Sequence, residues 1–470
     1  MINRRTLLAA APTLLLNARS KEAVVQPKDD GYRGIWYMNQ PSNDQYVYKY
    51  SGGFATYPQQ HAPIAIYSKE AAKTFFCYGG TVKGKHELPH MVSYFDHKTG
   101  TVPRPTILLN KKTEDAHDNP TISIDDKGYI WIFSSAHGVT RPSFIHRSAK
   151  PYSVDSFEQI LETNFSYTQP WYVPGKGFLF LHTRYRRIKP NEPRMGRALF
   201  SMTSRDGVQW SEPRELAFAL QGHYQISWPD LARGRLATAF DIHPDPLGLN
   251  QRTNLHYMET RDFGANWQTA AGKPVELPIR NEVNGALVRD YRKEGLLVYL
   301  KDLQYDSAGR PILVYLTSKG YESGPGNSPR MLTVARWTGS EWRYSTIGET
   351  DHNYDHGSLY HEDGGRLWRF LGPTGPGPQA WSTGGEMEAW ESRGDGRTWK
   401  RTGSLTSKSP RNHTYLRRPL NPHADFYGLW ADGNALAPSE SSIYFTNRKG
   451  EVFRLPTTMT SDSAKPERLA

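Results

Sequence analysis

Cysteine is almost absent. Cys77 is the only one in 470 residues, so no intramolecular disulfide and no cysteine-based zinc cluster can form. It stands in the apolar run Lys73-Thr-Phe-Phe-Cys-Tyr78, where a small buried hydrophobe is the expected role. Long hydrophobic runs are missing too. Beyond one short apolar stretch ending near Leu16, nothing approaches the roughly 20 apolar residues of a membrane helix. No long segment carries a helical period, which argues against an α-rich fold. No block of lysine and arginine dominates, and no nucleic-acid-binding signature is present, so DNA and RNA are not expected partners.

What is abundant is aromatic and basic. The chain holds 13 Trp, 27 Tyr and 18 Phe, and 58 Lys and Arg against 47 Asp and Glu give a formal charge of +11. A basic surface interspersed with aromatics favours an anionic polymer that is not nucleic acid. At the N-terminus, Asn3-Arg4-Arg5-Thr6-Leu7-Leu8 and the apolar run that follows read as a Tat-like bacterial export signal over residues 1–25. An ordinary Sec signal carrying two arginines would serve the same purpose. Either way the mature protein is expected outside the cytoplasm, periplasmic or secreted, and not in a membrane.

Strand-like runs recur between Gly, Asp and Asn turns, among them Ala62–Ser68, Gly177–Arg184, Arg235–Ile242 and Pro311–Ser318. Such spacing implies a sandwich, barrel or propeller. A degenerate repeat selects the propeller. Thr260-Arg-Asp-Phe-Gly-Ala-Asn-Trp267 fits Ser/Thr-x-Asp-x-Gly-x-x-Trp in full, while the segments Ser204–Trp210 and Ser392–Trp399 fit it more loosely. In this Asp-box turn the Asp side chain caps turn amides, Gly permits positive φ, and Trp packs beneath the hairpin. At ~60 residues per blade the mature chain makes roughly seven blades. The expectation is an all-β, seven-bladed β-propeller forming one catalytic domain over residues 26–456. A polar tail, expected to be disordered, follows over 457–470.

The strongest chemical signal is a pair of histidines. Asp115-Ala-His-Asp-Asn-Pro120 and Ser134-Ser-Ala-His-Gly138 flank a strand, a turn at Asp125–Gly128 and a second strand. A hairpin brings the residues just outside its two strands together, so His117 and His137 should meet at a sheet rim. Two imidazoles there suit proton transfer, although each alone could be structural. Tyr185, at the exit of Phe178–Arg187 among Arg184, Arg186 and Arg187, is a second proton-transfer candidate if nearby positive charge lowers its pKa. Arg197 offers the forked guanidinium that best orients a carboxylate. Packing roles for Tyr185 and Arg197 stay open. Asn119, Arg141, His182, Arg184, Tyr224 and His243 are the candidate substrate contacts. The segment Asp351–His356 has a His/Asp spacing that could hold a metal, but no helix sets its geometry.

The segments Gly31-Tyr-Arg-Gly-Ile-Trp36, Lys49-Tyr-Ser-Gly-Gly53, Lys73–Gly80, Ala116–Pro120, Ser135–Gly138 and Asp351–Leu359 resemble, in this order, the BNR-repeat polysaccharide lyases. The nearest resemblance is to the ulvan lyases of polysaccharide lyase family 25, with family 24 as a relative. It spans nearly the whole mature chain. It implies a seven-bladed propeller acting on ulvan, a sulfated polymer of rhamnose 3-sulfate and uronic acid; apart from the resemblance, a monomer is expected. Cleavage by β-elimination would leave an unsaturated uronate end. It also implies catalytic roles for His117, His137, Tyr185 and Arg197. His182 stands close enough to Tyr185 to compete for its alignment, and Tyr224 or the region of His243 could supply a further active-site group. No cofactor is required for the chemistry. A structural metal ion, present in some relatives, is allowed without assigned ligands.

Two other classes compete. A sialidase-like hydrolase shares the propeller and Asp boxes, but Gly31-Tyr-Arg-Gly stands where its Arg-Ile-Pro signature belongs. A non-catalytic propeller could bind sulfated glycans without either histidine. Only a lyase creates a new conjugated double bond.

Overall fold

A computed structural model describes residues 22–53 and 60–469, with the backbone of Leu15–Asn17. The twin arginine and most of the apolar run behind it lie outside the described residues. Among those residues there is no α-helix, only short 3-10 turns between strands, and no helix is long and apolar enough to cross a membrane.

The chain lays down successive antiparallel meanders. Seven sheets of four or five strands follow one another, opening with Ala65–Ser68, Pro120–Ile124, Ser166–Val173, Gln225–Asp230, Leu297–Tyr305, Ser358–Glu362 and Asn412–Arg417. From the first sheet to the sixth, each opening strand packs beside the opening strand of the next. The ring closes where Leu420, just after Asn412–Arg417, forms a parallel bridge with Ile66. Its amide donates to Ala65 O at 2.8 Å, and its carbonyl accepts from Tyr67 N at 3.0 Å. This is the expected all-β propeller architecture.

Every sheet is sandwiched between two neighbours, so both faces are covered. Pro311–Ser318 and Thr253–Thr260 are buried along their whole length, and strict alternation of apolar and polar residues is lost.

The Asp-box turns sit at one end of the strands. Asp125 Oδ1 accepts from the amides of Lys127 (3.0 Å) and Tyr129 (2.9 Å), and its Oδ2 from Trp131 Nε1 at 2.9 Å. Gly128 has φ +81°, and a Cβ there would come 2.4 Å from the Tyr152 ring. Asp206 and Asp262 cap their turns in the same way. The opposite strand ends are free for chemistry.

The C-terminal segment departs from expectation. It is folded, not disordered. Ser463–Ala464 pairs with Val102–Pro103, Glu467–Arg468 pairs with Phe453–Arg454, and Met459 is buried. Backbone pairing, which its polar composition conceals, holds it in place.

Candidate active site

Pro120 pairs with Ser134 at the end of the second sheet's first hairpin. The chain leaves this end on both sides, and the hairpin argument holds. The His117 and His137 rings stack with centroids 4.1 Å apart and planes 14° from parallel. His117 sits in a 3-10 turn, Ala116–Asp118, capped by the Asp115 side chain through the His117 amide.

That cap does more than start a turn. Asp115 Oδ1 accepts from His117 Nδ1 at 2.6 Å, and Oδ2 accepts from His137 Nδ1 at 2.7 Å. One carboxylate therefore fixes both rings as Nδ1–H tautomers and leaves each Nε2 as an acceptor. Arg141 secures the assembly from behind. Its NH2 donates to Asp115 Oδ2 at 3.0 Å, and its fork takes both oxygens of buried Asp118 at 2.8 Å. Asp118 in turn accepts the His137 amide at 2.7 Å.

The histidines differ in access. His117 is 2% exposed and His137 24% by side chain. Burial first, then the charge of His137, lowers the His117 pKa to about 4, against the pull of Asp115. The same two imidazoles hold the Asp115 carboxyl below its ordinary range, against the cost of burial. Tyr50 closes the inner side, with its hydroxyl 3.3 Å from His117 Nε2.

Tyr185 and Arg197 come from adjacent strands of the third sheet and face each other directly in register. The Tyr185 ring lies 5.8 Å from that of His137, and the Arg197 guanidinium is 5.1 Å from the Tyr185 ring and 5.3 Å from that of Tyr224. Burial pushes the Tyr185 phenol up to about 12, with Arg197 partly opposing it. Tyr185 is therefore a neutral O–H donor near neutrality. The Tyr167 hydroxyl lies 3.5 Å from those of both Tyr185 and Tyr224. Beneath them, buried Arg252 sits 4.5 Å from the Tyr224 ring and 4.3 Å from that of Tyr299, and donates to Tyr354 Oη at 2.9 Å.

His117, His137, Tyr185, Arg197 and Tyr224 thus meet at one end of the propeller, with Arg141 behind. Other expected contacts fall elsewhere. His182 and Arg184 share the strand Gly177–Arg187 with Tyr185, but alternation turns them to its other face. There His182 is fully buried between Phe180 (4.7 Å) and Phe200 (6.1 Å), and the Arg184 guanidinium lies over Phe200 at 5.8 Å. His243 is fully buried under the Tyr224 ring, 3.3 Å from Asp241, and supports that ring from below. Asn119 is fully buried; its carbonyl takes the Ser135 hydroxyl at 2.9 Å. Arg141 grips two carboxylates of the protein itself and acts as a clamp on the histidine pair.

The segment Asp351–His356 contributes buried side chains, not a ligand cage. Asp355 accepts from Gly384 N (2.7 Å) and His352 N (3.1 Å), while His356 stacks on Tyr415. Two other groups among the described residues bring three possible metal donors together: Asp115 with His117 and His137, and His97 with His423 and Asp425. In the first, the carboxylate already bridges the imidazoles.

Asp115, Tyr50, Tyr167 and Arg252 were not among the expected site residues. Asp115 adjoins the histidine motif, and a carboxylate two residues before a candidate base was the available signal. The others reach the site from separate sheets and carry no local mark.

Comparison with known proteins agrees with this architecture. A curated relative named Ulvan Lyase-PL25, from Pseudoalteromonas sp. (strain PLSV), is 22% identical over 302 residues, 55% of this chain and 59% of the relative. An ulvan lyase from Nonlabens ulvanivorans is 23% identical over 264 residues, 49% of this chain and 54% of the relative. The match thus spans little more than half the length of these curated relatives. A solved PL25 ulvan lyase bound to -[GlcA(1-4)Rha3S]- superposes with a TM-score of 0.67 at 16% identity, covering 90% of this chain and 96% of that one. The polysaccharide lyase Uly1 superposes with a TM-score of 0.60 at 9% identity over 92% of this chain and all of that one. At such identities the superpositions speak for the fold. The model described as BNR repeat-containing family member matches residues 91–350, more than half of the sequence, and the chain belongs to that family.

Proposed function

We propose that this protein is a polysaccharide lyase that cleaves ulvan by β-elimination at its uronic acid. The observation that carries the reading is the carboxylate-anchored histidine pair beside Tyr185 and Arg197. The ulvan lyase relatives support it, as does the net charge of +11.

The reaction needs a base for the C5 proton, a donor for the O4 leaving oxygen and positive charge at the carboxylate. His137 is the more exposed imidazole, and its Nε2 takes the C5 proton. The C5–H electrons form the C4–C5 double bond as the C4–O4 bond breaks. Tyr185, held neutral by burial, protonates O4; the phenolate then regains a proton and the His137 imidazolium gives up the one it took, through solvent, which restores both groups. Arg197 offsets the charge that builds on the carboxylate, the kind of electrostatic stabilisation that usually dominates catalysis. His117 acts inside, holding His137 by stacking. No water enters the product.

The export reading rests on Arg4-Arg5 and the apolar run behind them, and places the enzyme where a large polymer can reach it.

The test is incubation of the mature protein with ulvan, heparan sulfate, alginate and pectin separately, following ultraviolet absorbance of the new double bond. The expected outcome is a rising trace with ulvan that is lost in His137→Ala. A flat trace with ulvan, or release of saturated sugars, overturns the assignment.

A further inference from the structure

We infer that Arg187 and Met195 form the binding subsite for the sugar that departs with O4, Arg187 taking its sulfate and Met195 its deoxy methyl group. The inference rests on the lyase reading above and deepens it. When the C4–O4 bond of the uronate breaks, the oxygen leaves on the neighbouring sugar. In an alternating polymer of uronic acid and rhamnose 3-sulfate, that neighbour is the rhamnose. It carries two recognisable marks, a sulfate at C3 and a methyl group where other hexoses have a hydroxymethyl.

The geometry comes from register. The strands Gly177–Arg187 and Met195–Ser204 form the hairpin that sets Tyr185 opposite Arg197. Two residues nearer its tip, Arg187 stands opposite Met195. Residues two apart on a strand share a face, and so do directly opposed residues of a pair. Arg187 and Met195 therefore continue the face of Tyr185 and Arg197, about 7 Å further out. Tyr185 gives its proton to O4, so the departing sugar lies beside Tyr185 and within reach of this next pair.

The opposite face of the hairpin tip is closed. A Cβ on Gly196 would come 2.8 Å from Gln221 O and 2.8 Å from the Phe218 ring. Arg186 shares that face; its guanidinium lies 5.3 Å from the Phe218 ring and pairs with Glu215. Arg187 and Met195, by contrast, are exposed, Met195 at 39%. Residues 184–197 hold six Lys and Arg against one Glu. Arg186 and Arg194 are already matched, by Glu215 and Asp245. Arg187 forms no ion pair among the described residues, and its NH1 donates to Glu192 O at 3.2 Å. A guanidinium fork suits a tetrahedral oxyanion, and methionine offers an adaptable apolar surface to a methyl group.

The test compares initial ultraviolet rates on ulvan and on chemically desulfated ulvan, for the wild type, Arg187→Gln, Met195→Ala and the opposite-face control Arg186→Gln. The wild type should show a KM about fivefold higher on the desulfated polymer, the upper range for an exposed ion pair. Arg187→Gln should raise KM on ulvan by the same factor and no longer distinguish the two polymers. Its kcat should stay within about twofold, because the sulfate is held equally before and during the reaction. Arg186→Gln should keep the distinction. Met195→Ala should raise KM about fourfold on both polymers, since the methyl group survives desulfation. An Arg187→Gln enzyme that keeps the wild-type preference, or that loses equally on both polymers, overturns the inference, as does an unchanged KM in Met195→Ala. A wild type inert on ulvan fails the lyase reading instead. Calorimetric binding then decides the subsite: Arg187→Gln must bind ulvan no better than its desulfated form, and a retained preference overturns the inference.

Discussion

Asp115→Asn separates an orienting carboxylate from a merely structural one. The amide keeps the shape but offers one acceptor where the carboxylate offers two. Its oxygen can still receive one Nδ1–H. Its NH2 then faces the other imidazole and forces that ring to carry its proton on Nε2, where it can no longer accept one. Hydrogen bonds to a charged group are worth about 1.5–3 kcal/mol each, and two are affected, at 2.6 and 2.7 Å. If that 3–6 kcal/mol acts in the transition state, kcat falls by about 10²–10⁴ at 1.36 kcal/mol per decade. KM should change little, because Arg197 keeps its place. The fold should survive, since Arg141 retains both oxygens of Asp118 at 2.8 Å. The assay is the initial ultraviolet rate on ulvan, with a thermal melt as control. A folded Asp115→Asn enzyme with kcat within about threefold of wild type would refute the argument.

Tyr185→Phe should lower kcat at least about 100-fold while ulvan binding, measured by calorimetry, persists. Arg197→Lys should lower kcat/KM by about 10²-fold, because a point charge replaces a fork; a loss under threefold would dissociate Arg197 from the carboxylate. Stability should fall steeply in acid. Burial lowers His117, His256 and His361 to about 4 and His223 to about 3. Between pH 6.5 and 4 the unfolded chain therefore binds protons that the folded chain refuses, and stability is lost as pH falls through that window. His117 alone contributes about 3 kcal/mol, and melts at pH 7, 6, 5 and 4 check it. Asp125→Ala should cost about 1–2 kcal/mol, from a lost turn cap and a lost partner for Trp131, yet leave kcat unchanged because that turn lies at the far end of the strands.

Local pattern made much of this legible. Turn chemistry at Asp125–Gly128 set the hairpin, and the hairpin brought His117 and His137 together. The box at Thr260–Trp267 pointed to a propeller. What failed was the choice between faces. Alternation along Gly177–Arg187 correctly separates His182 from Tyr185, but in a sheet covered on both sides hydrophobicity does not say which face meets the site. His182 and Arg184 were lost to that ambiguity. Tyr50 and Arg252 depend on contacts between sheets far apart in sequence, which no local pattern encodes, and Tyr167, on the strand paired with that of Tyr185, carries no mark of its own. Asp115 was hidden in plain view: its role exists only once the 3-10 turn forms.

The segment that leads into the first sheet is held by the segment that leaves the seventh. Tyr32 N donates to Pro456 O at 2.8 Å, Arg33 donates to Thr457 O at 2.9 Å, and Gly31 has no room for a Cβ against Thr457. Trimming from the C-terminus therefore strips a lace that runs from the seventh sheet back across the first.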